Sequence, residues 1–223
     1  GLSFLLVVVV GLSGIFQFLS LLAIWGIALA GLLTIFEYGR GVWMRHKSSG
    51  ESLPVALWRL GGLNRRRYGG MIIHLGIVLM SLGVIGIEMF QTETQGQVER
   101  NSSLELAGYT VTYRGLDFID DTVGQGYNAV EAKLDISRDG VALGRILPRS
   151  ELYFDSMQTV TLPGVRSTLT DDLYIILVNW EKISDEFVTL KVYHNPMINW
   201  LWIGTFVFIF GTLVAAWPKR ENV

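Results

Sequence analysis

Cysteine is absent from the 223 residues of this chain. That excludes a disulfide frame, a Cys-x-x-Cys redox pair, thiolate metal sites and covalent haem attachment through Cys-x-x-Cys-His. Charge is scarce. Asp, Glu, Lys and Arg make up 17% of the chain, and a net charge of −2 gives no bulk reason to expect nucleic acid as a partner. Histidine occurs three times, at His46, His74 and His194. There is no Gly-x-Ser-x-Gly, no phosphate loop and no His-Glu-x-x-His. The carboxylate pairs Asp120-Asp121 and Asp171-Asp172 lack EF-hand spacing, so turn and strand-end roles are expected of them. The opening Gly-Leu-Ser-Phe carries no initiator Met and no charged leader, unlike a signal peptide. It reads as a start partway through a helix, so a fragment or one piece of a split protein is expected.

What the chain has in quantity is apolar sequence. Half the residues are hydrophobic and the mean hydropathy is +0.40, a membrane-protein profile with one polar portion. Four runs stand out. Leu2 to about Phe16 is short for a span, which needs about 20 residues, and reads as a truncated first helix. Phe18 to Trp43 ends in Arg45-His46-Lys47, Tyr68 to Phe90 follows Arg65-Arg66-Arg67, and Met197 to Trp217 precedes Pro218-Lys219-Arg220. Trp200, Trp202 and Trp217 lie near the ends of the last run, as in an interfacial belt.

By the positive-inside rule the three basic clusters belong in the cytoplasm. Residues 1–47 are then transmembrane helices, 48–67 a cytoplasmic loop and 68–90 a third span. Residues 91–195 form an extracytoplasmic domain, and 196–223 the last span with a cytoplasmic tail. Within the loop, Ser52 to Trp58 reads either as a capped short helix or as irregular chain. In the outer region Tyr109 to Tyr113 and Ala129 to Ile136 alternate as strands do. Arg138-Asp139-Gly140 makes a turn into Val141 to Ile146, and Leu173 to Val178 and Phe187 to Tyr193 add two more strands. The fold class expected is an α-helical polytopic membrane protein with a small extracytoplasmic all-β domain, a sandwich or barrel, inserted between the last two transmembrane helices.

His74 is the ionisable group inside the third apolar run. Seven residues beyond Arg67, it lies about 10 Å into the bilayer at a rise of 1.5 Å per residue. An intramembrane ionisable residue marks a functional site by default. The imidazole can ligate a metal or haem iron, relay a proton, or hydrogen-bond a neighbouring helix. Gly70 lies one turn before it and Ser81 two turns after, near the same face, where small side chains let a flat macrocycle approach. A separate stripe of Gly69, Gly76, Gly83 and Gly86 reads as a helix-packing face. A buried histidine beside a small-residue patch calls for a partner helix, and no second histidine lies in any span. His194, before Asn195-Pro196, is read as interfacial, with a ligand or proton role as the alternative. His46 is read as part of an anchoring basic cluster.

Several segments in order resemble the CcmF family, the haem lyase subunit of bacterial-type cytochrome c maturation. These are Arg65-Arg66-Arg67-Tyr68-Gly69-Gly70 with Ile73-His74-Leu75-Gly76, then Leu147-Pro148-Arg149-Ser150-Glu151-Leu152-Tyr153, Asp171-Asp172-Leu173-Tyr174-Ile175, and Asn195 to Gly204 through Pro218. The resemblance implies an inner-membrane protein that receives haem from a haem chaperone and helps attach it to apocytochrome c on the outer side. It also implies a helix-embedded haem b, with quinol the proposed electron source and His74 one axial ligand to its iron. The second ligand and the Trp-rich WWD segment belong to the family's N-terminal part, so the remaining N-terminal part of the lyase is the expected partner, and this chain alone is not expected to be active. Two other readings stand beside it. One is a structural membrane subunit whose outer β-domain docks partner proteins without haem, and the other is a quinol-linked electron-transfer subunit with no lyase role.

Overall fold

A computed structural model describes residues 1–12, 18–121, 124–180 and 185–217. The expected far end of the first apolar run, and Pro218-Lys219-Arg220, lie outside the described residues. The chain divides into two units: Gly1–Ile85 with Trp200–Val223, and Gly86–Asn199.

The first unit is helical. It holds α1 (Leu2–Leu12), α2 (Phe18–Ser49), α3 (Leu53–Leu63) and most of α4 (Arg65–Phe90) and α5 (Ile198–Ala216). Among the described residues three stretches are long and apolar enough to cross a membrane: Leu21–Ser49, Arg65–Phe90 and Ile198–Ala216. The loop between α2 and α4 does contain a helix. The Ala56 amide closes its first turn on Ser52 O at 2.9 Å, and Pro54 sits where its missing N–H costs nothing. Glu51, just ahead, is clasped by Arg45 at 2.9 Å and Arg59 at 2.6 Å. The Arg45 hydrogen bond, with Arg59 adding to it, holds the Glu51 carboxyl below its ordinary range.

α4 and α5 run antiparallel along a seam of glycines. A Cβ added at Gly69 would lie 2.6 Å from Ala215 N, one at Gly76 2.6 Å from Phe208 N, and one at Gly83 2.6 Å from Leu201 N. From the other side, Gly204 would meet Met80 N at 2.5 Å and Gly211 would meet Ile73 N at 2.7 Å. No side chain fits between these backbones, so the seam is closed by direct backbone approach. On another flank of α4, Gly31 of α2 faces Val78, Glu37 pairs with Arg67 at 3.2 Å, and Tyr38 meets Tyr68 edge to face.

The second unit is a two-sheet β-sandwich, and among the described residues its ten strands fall between α4 and α5 in the chain. One sheet has the order β1 (Thr92–Glu99), β10 (Phe187–Pro196), β9 (Asp171–Trp180), β8 (Gly164–Ser167). The other runs β2 (Ser103–Leu106), β3 (Tyr109–Ile119), β4 (Tyr127–Arg138), β6 (Arg149–Tyr153), β7 (Thr159–Leu162), with β5 (Val141–Ile146) also paired to β4. All pairs are antiparallel. Alternate residues fill the space between the sheets. Tyr109, Val111, Tyr113, Leu134 and Ile136 come from one, and Leu173, Ile175, Leu177, Val188, Leu190 and Val192 from the other. β9, which reads as continuously apolar, is buried on alternate residues only. The β4–β5 turn places Asp139 at φ +50° and Gly140 at +80°, as a two-residue hairpin turn of matching twist requires.

Candidate functional site

Three flanks of α4 meet three environments. The glycine seam faces α5, and Val78 faces α2. The remaining flank carries Gly70, His74, Ile77, Ser81 and Val84, spaced by three and four residues so that they form one stripe. Here His74, Ile77 and Val84 are exposed, and Gly70 and Ser81 half-buried. A Cβ at Gly70 would find no atom within 4 Å. Within this chain, therefore, the His74 ring is not buried as expected. α2 and α5 occupy the other flanks, and this one stays uncovered. No hydrogen bond or ion pair to His74 is formed among the described residues. An imidazole with an uncommitted nitrogen lone pair, one turn from a glycine that leaves open space, suits axial ligation of a haem iron.

The other two histidines are committed. His46 Nδ1 lies 2.6 Å from Glu51 O, and its ring tilts against Trp43. His194 Nε2 lies 3.0 Å from Asp171 Oδ2 inside the sandwich. His74 is thus the one histidine whose surroundings would fit a haem, and a second axial ligand would come from beyond these residues. No cluster of three or more His, Asp or Glu suited to a metal ion is found among the described residues.

The two acidic doublets differ. Asp121 accepts from the amides of Gln125 at 2.5 Å and Gly126 at 2.8 Å, a turn role as expected. Asp171 does more than end a strand. Its side chain is 5% exposed. It accepts from Thr168 Oγ1 at 2.7 Å, Arg138 Nη1 at 2.9 Å and Tyr109 Oη at 3.1 Å, besides the His194 contact. Burial alone pushes its carboxyl upward. The hydrogen bonds from Thr168, His194 and Tyr109, and the Arg138 charge, outweigh burial and bring it down to about 2. The same knot reaches the start of α5, where the Met197 amide donates to Thr170 O at 2.8 Å and Asn199 Nδ2 to Asp172 Oδ1 at 2.8 Å. Met197 itself takes φ +61°, a conformation that costs a non-glycine residue about 1 kcal/mol or more. The sequence signalled this knot through the Asp171-Asp172 doublet and, separately, through His194; Tyr109, 62 residues from Asp171, gave no such signal.

Residues 89–196 match the family described as CcmF C-terminal beta-sandwich. The chain is 29% identical over 203 residues to the cytochrome c-type biogenesis protein CcmF of Pseudomonas fluorescens, covering 91% of this chain and 28% of that protein. Residues 89–196 belong to that CcmF sandwich family, and similarity to CcmF proteins extends over most of the chain. Its counterpart in Haemophilus influenzae is 28% identical over 158 residues, covering 71% of this chain and 24% of the relative. CycK of Rhizobium meliloti, also a cytochrome c-type biogenesis protein, is 25% identical over 169 residues, covering 76% and 24%. A solved structure of cytochrome c haem lyase CcmF superposes with a TM-score of 0.76 at 21% identity, covering 97% of this chain and 33% of that one. The shared fold therefore holds across both units of the chain. The chain spans about a quarter of the length of the curated relatives it matches, and residues 89–196 match the C-terminal sandwich of that family.

Proposed function

We propose that the chain is the C-terminal portion of a membrane haem lyase component for cytochrome c maturation, and that His74 is one axial ligand of a haem b within the membrane. The observation that carries this is the uncovered stripe of α4, where an uncommitted imidazole stands beside the open space at Gly70. When bound, the haem would supply one-electron chemistry that supports reduction and attachment of haem to apocytochrome c. The chain's own residues hold and orient. His74 offers a nitrogen lone pair, Gly70 leaves room for a flat ring, and Ser81 presents a small side chain on the same stripe. The glycine seam and the α2 contacts fix the rotation of α4, so that the stripe faces away from both neighbours.

On this reading the remaining N-terminal part supplies the second ligand and the WWD segment. A haem chaperone delivers haem, and quinol is the electron source. The basic ends of α2 and α4 lie on the cytoplasmic side of a bacterial-type inner membrane, with the sandwich outside and the C-terminus inside. The deciding experiment replaces His74 by Ala in the full assembly and records reduced-minus-oxidised spectra. The b-type band should vanish while the chain still accumulates, because an exposed ring contributes little to folding, within about 0.5 kcal/mol. An unchanged spectrum would remove the ligand assignment and leave His74 a helix-surface residue.

A further inference from the structure

β8 is the last strand of its sheet, and β5 pairs with β4 alone. These two free edges, one from each sheet, border each other along one side of the sandwich. In β8, Arg166 stands opposite Leu173 and Gly164 opposite Ile175. Residues opposite one another in a ladder share a face, and Leu173 and Ile175 are fully buried. Arg166 and Gly164 thus turn toward the space between the sheets. Gly164 lets β8 close on β5, because a Cβ there would crowd Ile146 and lie 3.1 Å from Pro148 N. An arginine therefore stands where a core side chain would be expected. It is half-buried, and its Nη1 crosses the gap to donate to Leu143 O at 3.0 Å.

A cavity of about 260 Å³ opens at this crossing, bordered by Ile136, Leu143, Gly144, Arg166 and Ser167. Gly144 takes φ +112°, and a Cβ added there would meet no atom within 4 Å, so that rim is open. Among the described residues no carboxylate pairs with Arg166, and Leu143 O is the one acceptor it meets. Its Nε is buried with no hydrogen-bond partner. Folded proteins keep few such donors, and an ion that belongs beside them is one recognised cause. The neighbouring carboxylate gives no relief. Asp135 is taken by Arg114 and Arg145, each at 2.8 Å. Three guanidiniums against one carboxylate leave a positive surplus. Phosphate sites gather many donors from helix ends or successive amides. Here Arg145 is committed to Asp135, and Arg166 already spends Nη1 on Leu143. What remains of a planar fork suits a planar pair of oxygens.

We propose that this cavity is a binding site for a single carboxylate group, held by the Arg166 guanidinium between β5 and β8. The group answers the unpaired charge and offers Nε–H an acceptor. The site is independent of the haem reading of His74.

The test uses the full chain in detergent, labelled with heavy nitrogen, at fixed pH and ionic strength. Sodium acetate is exchanged for sodium chloride, and NMR follows the amide signals of Gly144 and Ser167 and the Nε–H signal of Arg166. Acetate should shift all three saturably and bind at least about tenfold more tightly than chloride, because its two oxygens can take two N–H bonds at once. Arg166→Gln should abolish the acetate shifts at Gly144 and Ser167. Arg166→Lys keeps the charge but loses the planar fork, and should weaken them. A tripeptide amide with a central Glu separates the two sources of such a group. Tighter binding than acetate assigns the site to an acidic side chain of a polypeptide lying on the strand edges, and equal binding assigns it to a free small acid. Chloride acting as acetate does, which would mean an adventitious ion only, retained shifts in Arg166→Gln, or tighter binding of inorganic phosphate overturns the proposal. Should Arg166→Gln fail to fold, the response of Arg166 Nε–H to acetate against chloride in the unaltered chain decides.

Discussion

Asp171 shows how much a single buried anion can organise. Its carboxylate is enclosed by donors from β3, β4, β10 and the turn before β9. Asp171→Asn keeps the shape but removes the charge that Arg138 answers. It should destabilise the sandwich by on the order of 1–3 kcal/mol, read from thermal or denaturant unfolding. The pH dependence has a definite sign. A carboxyl lowered in the folded state to about 2 contributes fully above its unfolded value near 4 and loses that contribution as pH falls toward 2. The difference between wild type and Asp171→Asn should shrink as pH falls from 4 toward 2. A gap that persists unchanged at pH 2 would refute the assignment. Sequence showed Asp171 only as half of an acidic doublet, because Tyr109 and Arg138 reach it from 62 and 33 residues away. His74 was legible for the opposite reason: one ionisable residue in an apolar run needs no distant partner to be noticed.

At the scale of elements, the four-glycine stripe of α4 is the clearest case of sequence dictating packing. Its period fits one helix face: Gly69, Gly76 and Gly83 lie on the backbone of α5, and Gly86 meets Pro196 and Met197 just before it. Gly76→Ala or Gly204→Ala would drive a methyl into backbone atoms at 2.6 Å and 2.5 Å, prising the helices apart. Each should lower the melting temperature of the detergent-purified chain by several degrees. Gly70→Ala, with open space around it, should be neutral or slightly stabilising. If all three variants melt alike, the seam is not what holds the pair. Strands divided along a similar line. β3, β4, β5, β9 and β10 were legible in outline from alternation or apolar content. β1, β2, β7 and β8 were not, since Thr-Glu-Thr-Gln-Gly-Gln-Val-Glu and its like present mostly exposed side chains and become strands only through the ladders they join.

At the scale of the molecule, a helical unit is interrupted in sequence by a sandwich whose strands lie between α4 and α5. The proposed sidedness is open to direct measurement, because the chain has no cysteine of its own. Ser48→Cys and Ser156→Cys, both at exposed positions, should react with a membrane-impermeant maleimide from opposite sides of sealed vesicles. Labelling of both from one side would reverse the orientation of one unit. The glycine seam also carries a consequence for biogenesis. Gly83 meets Leu201 across an interval that contains every strand. At typical elongation rates the ribosome needs on the order of ten seconds to make that interval. Throughout that wait α4 has been synthesised but its glycine face has no mate, so a nascent chain stalled within the sandwich exposes a bare backbone groove to any helix nearby.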